Sequence, residues 1–217
     1  MDIFAVINNY NYDCSWVTRL PFQFEMMSNH GLKPGEATNF CYDTVNYLRY
    51  IIQNYDDLHD ITWFFHGHEY GWHYKGYSLL YLIKDIKYDK DYHNISFVRN
   101  DYYFGITQFG YDYCVFHQNV IQKLHDKTGY FEPLLKIQTG TVVTKFNSEF
   151  YVKKECIRRH PVDFYQKLLD VIDEIREESI EDASKCVYVF ERLWNYIFTG
   201  NLIEEGNFIS VDHWCEI

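Results

Sequence analysis

Apolar positions along this chain fall into short solid runs and longer periodic stretches, and the two kinds alternate. Asp2 to Ile7 carries the run Ile3-Phe4-Ala5-Val6-Ile7 and ends in Asn8-Asn9-Tyr10-Asn11. That predicts a first buried strand opening into a polar turn. Lys33-Pro34-Gly35 punctuates the chain. From Glu36 to Gln53, apolar residues recur at Ala37, Phe40, Cys41, Val45, Leu48, Ile51 and Ile52, the spacing of a helix with one buried stripe. Ile61 to Phe65 is again continuously apolar, as in a strand covered on both faces. Strand, helix and strand in this order predict a parallel βαβ unit.

Further along, Tyr77 to Ile86 reads as a short helix and Ile95 to Val98 as a strand. Asn100 to Asp112, with Gly105 and Gly110 among aromatics, reads as a loop or irregular hairpin, and Val115 to Asp126 is weakly helical. Thr139 to Phe146 and Glu149 to Val152 predict strands, with Asn147-Ser148 as a turn between them. Pro161 suits the first turn of a helix running to Glu178. The acidic stretch Asp173 to Asp182 reads as a solvated helix end and loop. Ser184 would cap a last helix through Phe198, with Gly200 just past its end. No repeat or linker divides the chain. Residues 1–217 therefore predict a single α/β domain with a mixed, mainly parallel central sheet flanked by helices.

Composition narrows the functional classes. The formal net charge of −11 opposes non-specific binding to nucleic acid and to anionic membranes, both of which rest on Lys and Arg neutralising phosphates. No run approaches the ~18–20 apolar residues of a membrane span. The opening residues, with an acid at position two, lack the core of a signal peptide. The six cysteines form no C-x-x-C pair, which disfavours a zinc ribbon and predicts reduced thiols and a cytoplasmic location.

The chemistry concentrates where the Ile61 strand ends. His66, His68, Glu69 and His73 crowd that point, and strand carboxyl ends are where α/β sheets bind ligands. His66 and His68 are two residues apart, so an extended segment places them on one face, where neutral imidazoles can hold a divalent metal with Glu69 or His73. Hydrogen bonding at a strand terminus is the plainer alternative. Trp72 reads as a pocket wall or a core residue. Asn8, Asn9, Asn11 and Asp13 crowd the end of the first strand, either forming local turns or contacting a base or ribose. Neither a G-x-G-x-x-G nor a P-loop sequence occurs, which disfavours dinucleotide enzymes and P-loop NTPases. Glu191 and Arg192 sit among apolar residues on the last helix, as a structural ion pair or with Glu191 as a catalytic carboxylate. Lys153, Lys154, Arg158, Arg159 and His160 make the largest basic run, a solvated face or a site for a diphosphate.

Several segments together resemble a family of microbial and viral proteins of unknown function. They are Tyr10-Asn11-Tyr12-Asp13-Cys14-Ser15-Trp16, Gly35-Glu36-Ala37, Tyr47-Leu48 with Ile51-Ile52, and Asn54-Tyr55-Asp56-Asp57-Leu58. Phe65-His66-Gly67-His68 and Glu191-Arg192-Leu193-Trp194 complete the set. The order of elements is also similar to GT-A type glycosyltransferases, with a Rossmann-like nucleotide-binding half. In those enzymes an acidic D-x-D ends a central strand and holds a metal and the donor diphosphate. His66-Gly67-His68 takes that place by order, with imidazoles where carboxylates stand. The literal D-x-D, Asp89-Lys90-Asp91, follows no convincing strand.

The resemblance implies transfer of a sugar from a UDP- or GDP-sugar to a glycan or glycoprotein acceptor. It implies a divalent metal, Mn²⁺ first, at His66, His68 and His73. Asn8, Asn9, Asn11, Asp13, Glu36, Trp72 and Arg192 would hold the donor, with Glu69 and Glu191 as catalytic carboxylates. If the source is viral, the cytoplasm would be that of a host cell. A metal-dependent hydrolase on the same histidines and an inactive sugar- or protein-binding module are the alternatives.

Overall fold

The predicted βαβ unit sets the sheet. A computed structural model of the chain describes residues 1–9, 12–28, 42–71, 74–96, 99–103, 111–136, 141–145 and 148–201. Strand β1 (Ile3–Asn9) leads through a 3₁₀ turn at Ser15–Arg19 to β2 (Gln23–Ser28). Helix α1 (Tyr42–Gln53) then leads to β3 (Ile61–His66). Both β2 and β3 pair with β1 in parallel, one on each side, and Asn8 registers opposite His66. The start of the helix predicted from Glu36 lies outside the described residues.

The remaining elements are α2 (Leu79–Ile83), β4 (Tyr92–Asn94), β5 (Arg99–Tyr103), α3 (Tyr111–Thr128), α4 (Glu132–Leu135) and β6 (Thr141–Lys145). After them come β7 (Phe150–Lys153), α5 (Lys154–Ile157), α6 (Val162–Glu178) and α7 (Ile180–Thr199). Strand β7 joins β3 antiparallel and β4 joins β7 antiparallel, giving the order β2-β1-β3-β7-β4. The sheet is therefore mixed, with two parallel and two antiparallel pairings rather than mainly parallel.

Alternation along the strands divides the core. Val6, Phe64, Phe150 and Val152 face α1, α3, α6 and α7 in one cluster. Ala5, Ile7, Ile61, Trp63, Phe65 and Tyr151 face the other way, under Trp16, Val17, Tyr74, Leu79 and Ile83. The β1-to-β2 and β2-to-β3 connections thus lie on opposite faces. His66 continues the Thr62-Phe64 parity and so turns toward the helical side.

Other sequence expectations also need correction. Strand β2 was not anticipated, because an edge strand leaves Phe24 and Met26 exposed and hides its alternation. Residues 99–103 form a strand paired with β6, where a loop or irregular hairpin was expected. As a result β6 and β7, which flank the turn expected at Asn147-Ser148, belong to different sheets, and Asn147 lies outside the described residues. Of the strand expected at Ile95 to Val98, Ile95 and Ser96 lie past the end of β4, because β7 pairs with Tyr92–Asn94 and Ile95 donates its N–H to the Glu149 carbonyl, while Phe97 and Val98 lie outside the described residues.

Helices α6 and α7 meet at one residue. Ser179 closes α6 through its N–H to the Ile175 carbonyl, and its hydroxyl accepts from the Asp182 N–H to cap α7. The cap is Ser179 and not Ser184, whose hydroxyl donates to the Glu181 carbonyl. Gly200 ends α7 with a φ of 75°, the left-handed conformation expected of a terminal glycine. Among the described residues, Cys14, Cys156 and Cys186 are free thiols. No helix among them is long and apolar enough to cross a membrane.

Candidate metal centre

Four elements converge on the carboxyl end of β3. That strand supplies His66, and the residues after it supply Gly67 and His68. Helix α1 supplies Asp43, Asn46 and Tyr47, the start of β7 supplies Glu149, and α7 supplies Glu191. The ligand-capable atoms of His66, His68 and Glu149 all lie within 4.8 Å of one another. Asp43 Oδ2 lies 3.3 Å from His66 Nε2, while Glu149 Oε1 lies 3.9 Å from Nδ1 of the same ring. Glu149 is fully buried, and its Oε1 accepts from the His66 backbone N–H at 3.3 Å.

Local chain geometry fixes these positions. The Gly67 carbonyl accepts from Trp16 Nε1 at 2.7 Å and from Cys14 Sγ at 3.4 Å, so the crossover on the opposite face holds the loop down. A Cβ on Gly67 would sit 3.0 Å from Cys14 Sγ and 3.1 Å from the Asn8 carbonyl oxygen. The glycine between the histidines is thus a close-approach position, with backbone on one side that cannot yield. We expect Gly67→Val to cost about 1–3 kcal/mol through overpacking and to displace His68, measured by thermal unfolding and metal titration.

The electrostatics follow from packing charged groups out of water. Burial opposes ionisation of Asp43, but the hydrogen bond and charge of His66, with hydrogen bonds from Ser148 and the Thr44 N–H, hold it below its ordinary value. Burial also opposes charge on His66. The Glu149 charge, the Asp43 hydrogen bond and the Glu191 charge outweigh it and lift His66 to about 9. Burial raises Glu191 to about 8, helped by Asp43 and opposed by Arg192 and His66. The Tyr47 hydroxyl, buried beside these carboxylates, is pushed well up, first by burial.

Both His66 and Glu191 bind protons more strongly in the folded chain, so stability falls as pH rises. The Glu191 contribution is complete below its ordinary 4.5 and is lost as pH rises through about 8. The His66 contribution is complete below 6.5 and is lost toward about 9. Asp60, held down to about 2 by its Lys154 hydrogen bond, acts only in acid. Below about 6.5 the opposite slope of His117, which burial pushes down to about 2, offsets Glu191, so chelator-treated protein should melt at progressively lower temperature as pH is raised from about 6.5 to about 9. A rising melting temperature over that range would contradict the placement of these two groups.

The residues fit a divalent cation. Two imidazoles and a buried carboxylate share one small volume, with the carboxylates of Asp43 and Glu191 beside them. Glu191 Oε2 is buried without a hydrogen-bond partner. Buried carboxylates concentrated in this way are stabilised by protonation, by pairing or by a metal.

The other expected site residues are distributed differently. Asn8 reaches the site, its Oδ1 accepting from Asn46 Nδ2 at 2.5 Å. Asn9 accepts the Tyr12 N–H and Asp13 accepts the Ser15 N–H, the local-turn roles. Glu69 is not brought into the cluster, since one carboxylate oxygen pairs with Arg19 at 2.5 Å and the other accepts from the Ser78 hydroxyl at 2.5 Å. Arg192 is buried, donates to the Tyr188 carbonyl, and lies near His117, which burial and then the Arg192 charge push down to about 2. Asn11, Glu36, Trp72 and His73 lie outside the described residues.

Both alternative phosphate sites lie at the far end of the sheet. Asp91 pairs with Lys153 and Arg159, and Lys154 pairs with Asp60, where β7 meets the amino end of β3. Arg158 donates to the Tyr55 and Asp56 carbonyls. Lys153 and Arg159 of the basic run thus pair with Asp91 of the D-x-D, and Lys154 with Asp60, away from the histidines.

Sequence reasoning missed Asp43 and Glu149. Asp43 shares a helical face with Asn46, Tyr47 and Tyr50, so an acid on a buried stripe was its available signal. Glu149 had none, because only the antiparallel β3–β7 pairing brings it beside His66.

The family described as Protein of unknown function (DUF3431) matches residues 10–207. No curated protein and no solved structure matches the chain.

Proposed function

We propose that this chain, which belongs to the DUF3431 family of proteins of unknown function, is a metal-assisted glycosyltransferase using a nucleotide-diphosphate sugar. The observation that carries the reading is the His66–His68–Glu149 set at the carboxyl end of β3, beside the end of parallel β1. A bound divalent ion would offset the charge that develops on a departing diphosphate. Asn8 and Asn46, joined side chain to side chain, offer amide donors and acceptors to the nucleotide at the β1 end. Glu191, buried beside the cluster and raised by that burial when no ion is bound, is the carboxyl placed to meet an oxygen gaining charge. It takes the catalytic weight that sequence reasoning shared with Glu69. Exposed rings of Tyr70, Tyr77 and Tyr81, downstream of the histidines, offer stacking faces to a glycan acceptor.

Isothermal titration with UDP- and GDP-sugars, with and without Mn²⁺, tests this. The expected result is binding that requires the metal, followed by sugar transfer to an oligosaccharide. No nucleotide binding under either condition refutes it. A metal-dependent hydrolase is the second reading, favoured by two imidazoles and a carboxylate, a donor set that activates water. It predicts retained metal with no nucleotide affinity.

A further inference from the structure

We infer that Asp43, through Nε2 of His66, presents Nδ1 of that ring to a transition-metal ion shared with His68 and Glu149. The inference rests on the metal part of the proposed function and is independent of glycosyl transfer. The two nitrogens of His66 face different carboxylates. Nε2 lies 3.3 Å from Asp43 Oδ2, within hydrogen-bond reach. Nδ1 lies 3.9 Å from Glu149 Oε1, too far for a hydrogen bond. Two ligands each about 2.1 Å from one ion can stand up to roughly 4 Å apart, so that gap accommodates a cation.

The surroundings give each group one role. An N–H on Nε2 donates to Asp43, which fixes the tautomer and leaves the Nδ1 lone pair for the ion. Carboxylate–histidine–metal relays work this way. Glu149 is aimed by the His66 backbone N–H, so the strand that places the imidazole also places the carboxylate. Glu191, from α7, keeps a buried carboxylate oxygen with no hydrogen-bond partner. Two imidazoles and one carboxylate favour Co²⁺, Zn²⁺ or Fe²⁺ over Mg²⁺ and Ca²⁺, with Mn²⁺ between them.

Cobalt titration of the full chain, followed by visible absorption and calorimetry, tests the inference. Wild-type protein should bind one Co²⁺ and show no comparable affinity for Mg²⁺. Asp43→Ala should weaken Co²⁺ binding by about 10–100-fold. Asp43→Asn, whose amide oxygen can still accept from Nε2, should recover part of that loss and alter the cobalt absorption band. Melting in chelator establishes that each variant is folded, and Asp43→Asn serves alone if Asp43→Ala is not. Wild-type affinity and spectrum in both Asp43 variants would overturn the role of Asp43 while leaving the metal centre standing. Equal affinity for Mg²⁺ and Co²⁺ would overturn the selectivity. Failure of wild-type protein to bind Co²⁺, Zn²⁺ or Mn²⁺ would overturn this inference and the metal part of the proposed function together. Nucleotide-sugar binding without metal would spare the transferase reading alone.

Discussion

Alanine in place of His66 should abolish divalent-metal binding and lower the proposed sugar transfer by a factor of about 10³ or more, since charge stabilisation by a metal is worth several kcal/mol. The same change should destabilise the metal-free protein. In the absence of metal, the His66 imidazolium stands between Asp43 at 3.3 Å and Glu149 at 3.9 Å. Removing one member of a buried charge pair costs about 3–5 kcal/mol, because the remaining charge stays out of water. Protonation of the carboxylates would relieve part of that cost at low pH, so the destabilisation should shrink on acidification. His68→Ala separates the two effects, with metal lost and the Asp43–His66 pair kept. Calorimetric titration and thermal melts of both variants measure the contrast. A His66→Ala protein that melts like wild type across the neutral range would show that His66 carries no charge there.

The second large effect is expected away from the polar site. Trp194→Ala should cost about 3–5 kcal/mol, the range for truncating a large buried aromatic. Trp194 is fully buried, stacks on Phe198 at 5.6 Å and 8°, and lies 5.6 Å from Phe150 and 6.3 Å from Tyr47. It therefore fills the space between α7, β7 and α1, the three elements that carry Glu191, Glu149 and Asp43. Its indole Nε1 is buried without a hydrogen-bond partner. Trp194→Phe removes that unsatisfied donor while keeping most of the ring, so it should cost far less than alanine. Denaturant unfolding of the two variants gives the comparison. Similar losses for both would point to the indole N–H, and not ring volume, as the important feature.

The strength of each sequence signal tracks how locally it is encoded. Strands β1 and β3 and their parallel pairing were legible because continuous apolar runs and one helical stripe are properties of neighbouring residues. Gly200 was legible as a helix stop for the same reason. Strand β2 was not, because Phe24 and Met26 remain exposed at the sheet edge and nothing in QFEMMS alternates cleanly. The histidines could be found as a pair, since His66 and His68 share a face within three residues. Their third partner could not, because Glu149 is 83 residues from His66 and arrives only through strand pairing. Glu69 drew attention through proximity in sequence, yet the turn after His68 delivers it to Arg19 and Ser78. Adjacency along the chain and adjacency in space part company at the first turn.

The single-residue junction at Ser179 has a mechanical consequence. Twelve residues of α7 separate it from Glu191, a lever arm of ~18 Å at the rise of an α-helix. A change of about 10° in the angle at Ser179 would swing the Glu191 backbone by roughly 3 Å, and displacements of even ~1 Å can cost a catalytic group 100-fold. The Ser179 cap thus fixes where that arm begins, and the buried face of α7 packed with α1, α6 and the sheet holds the carboxylate at its far end.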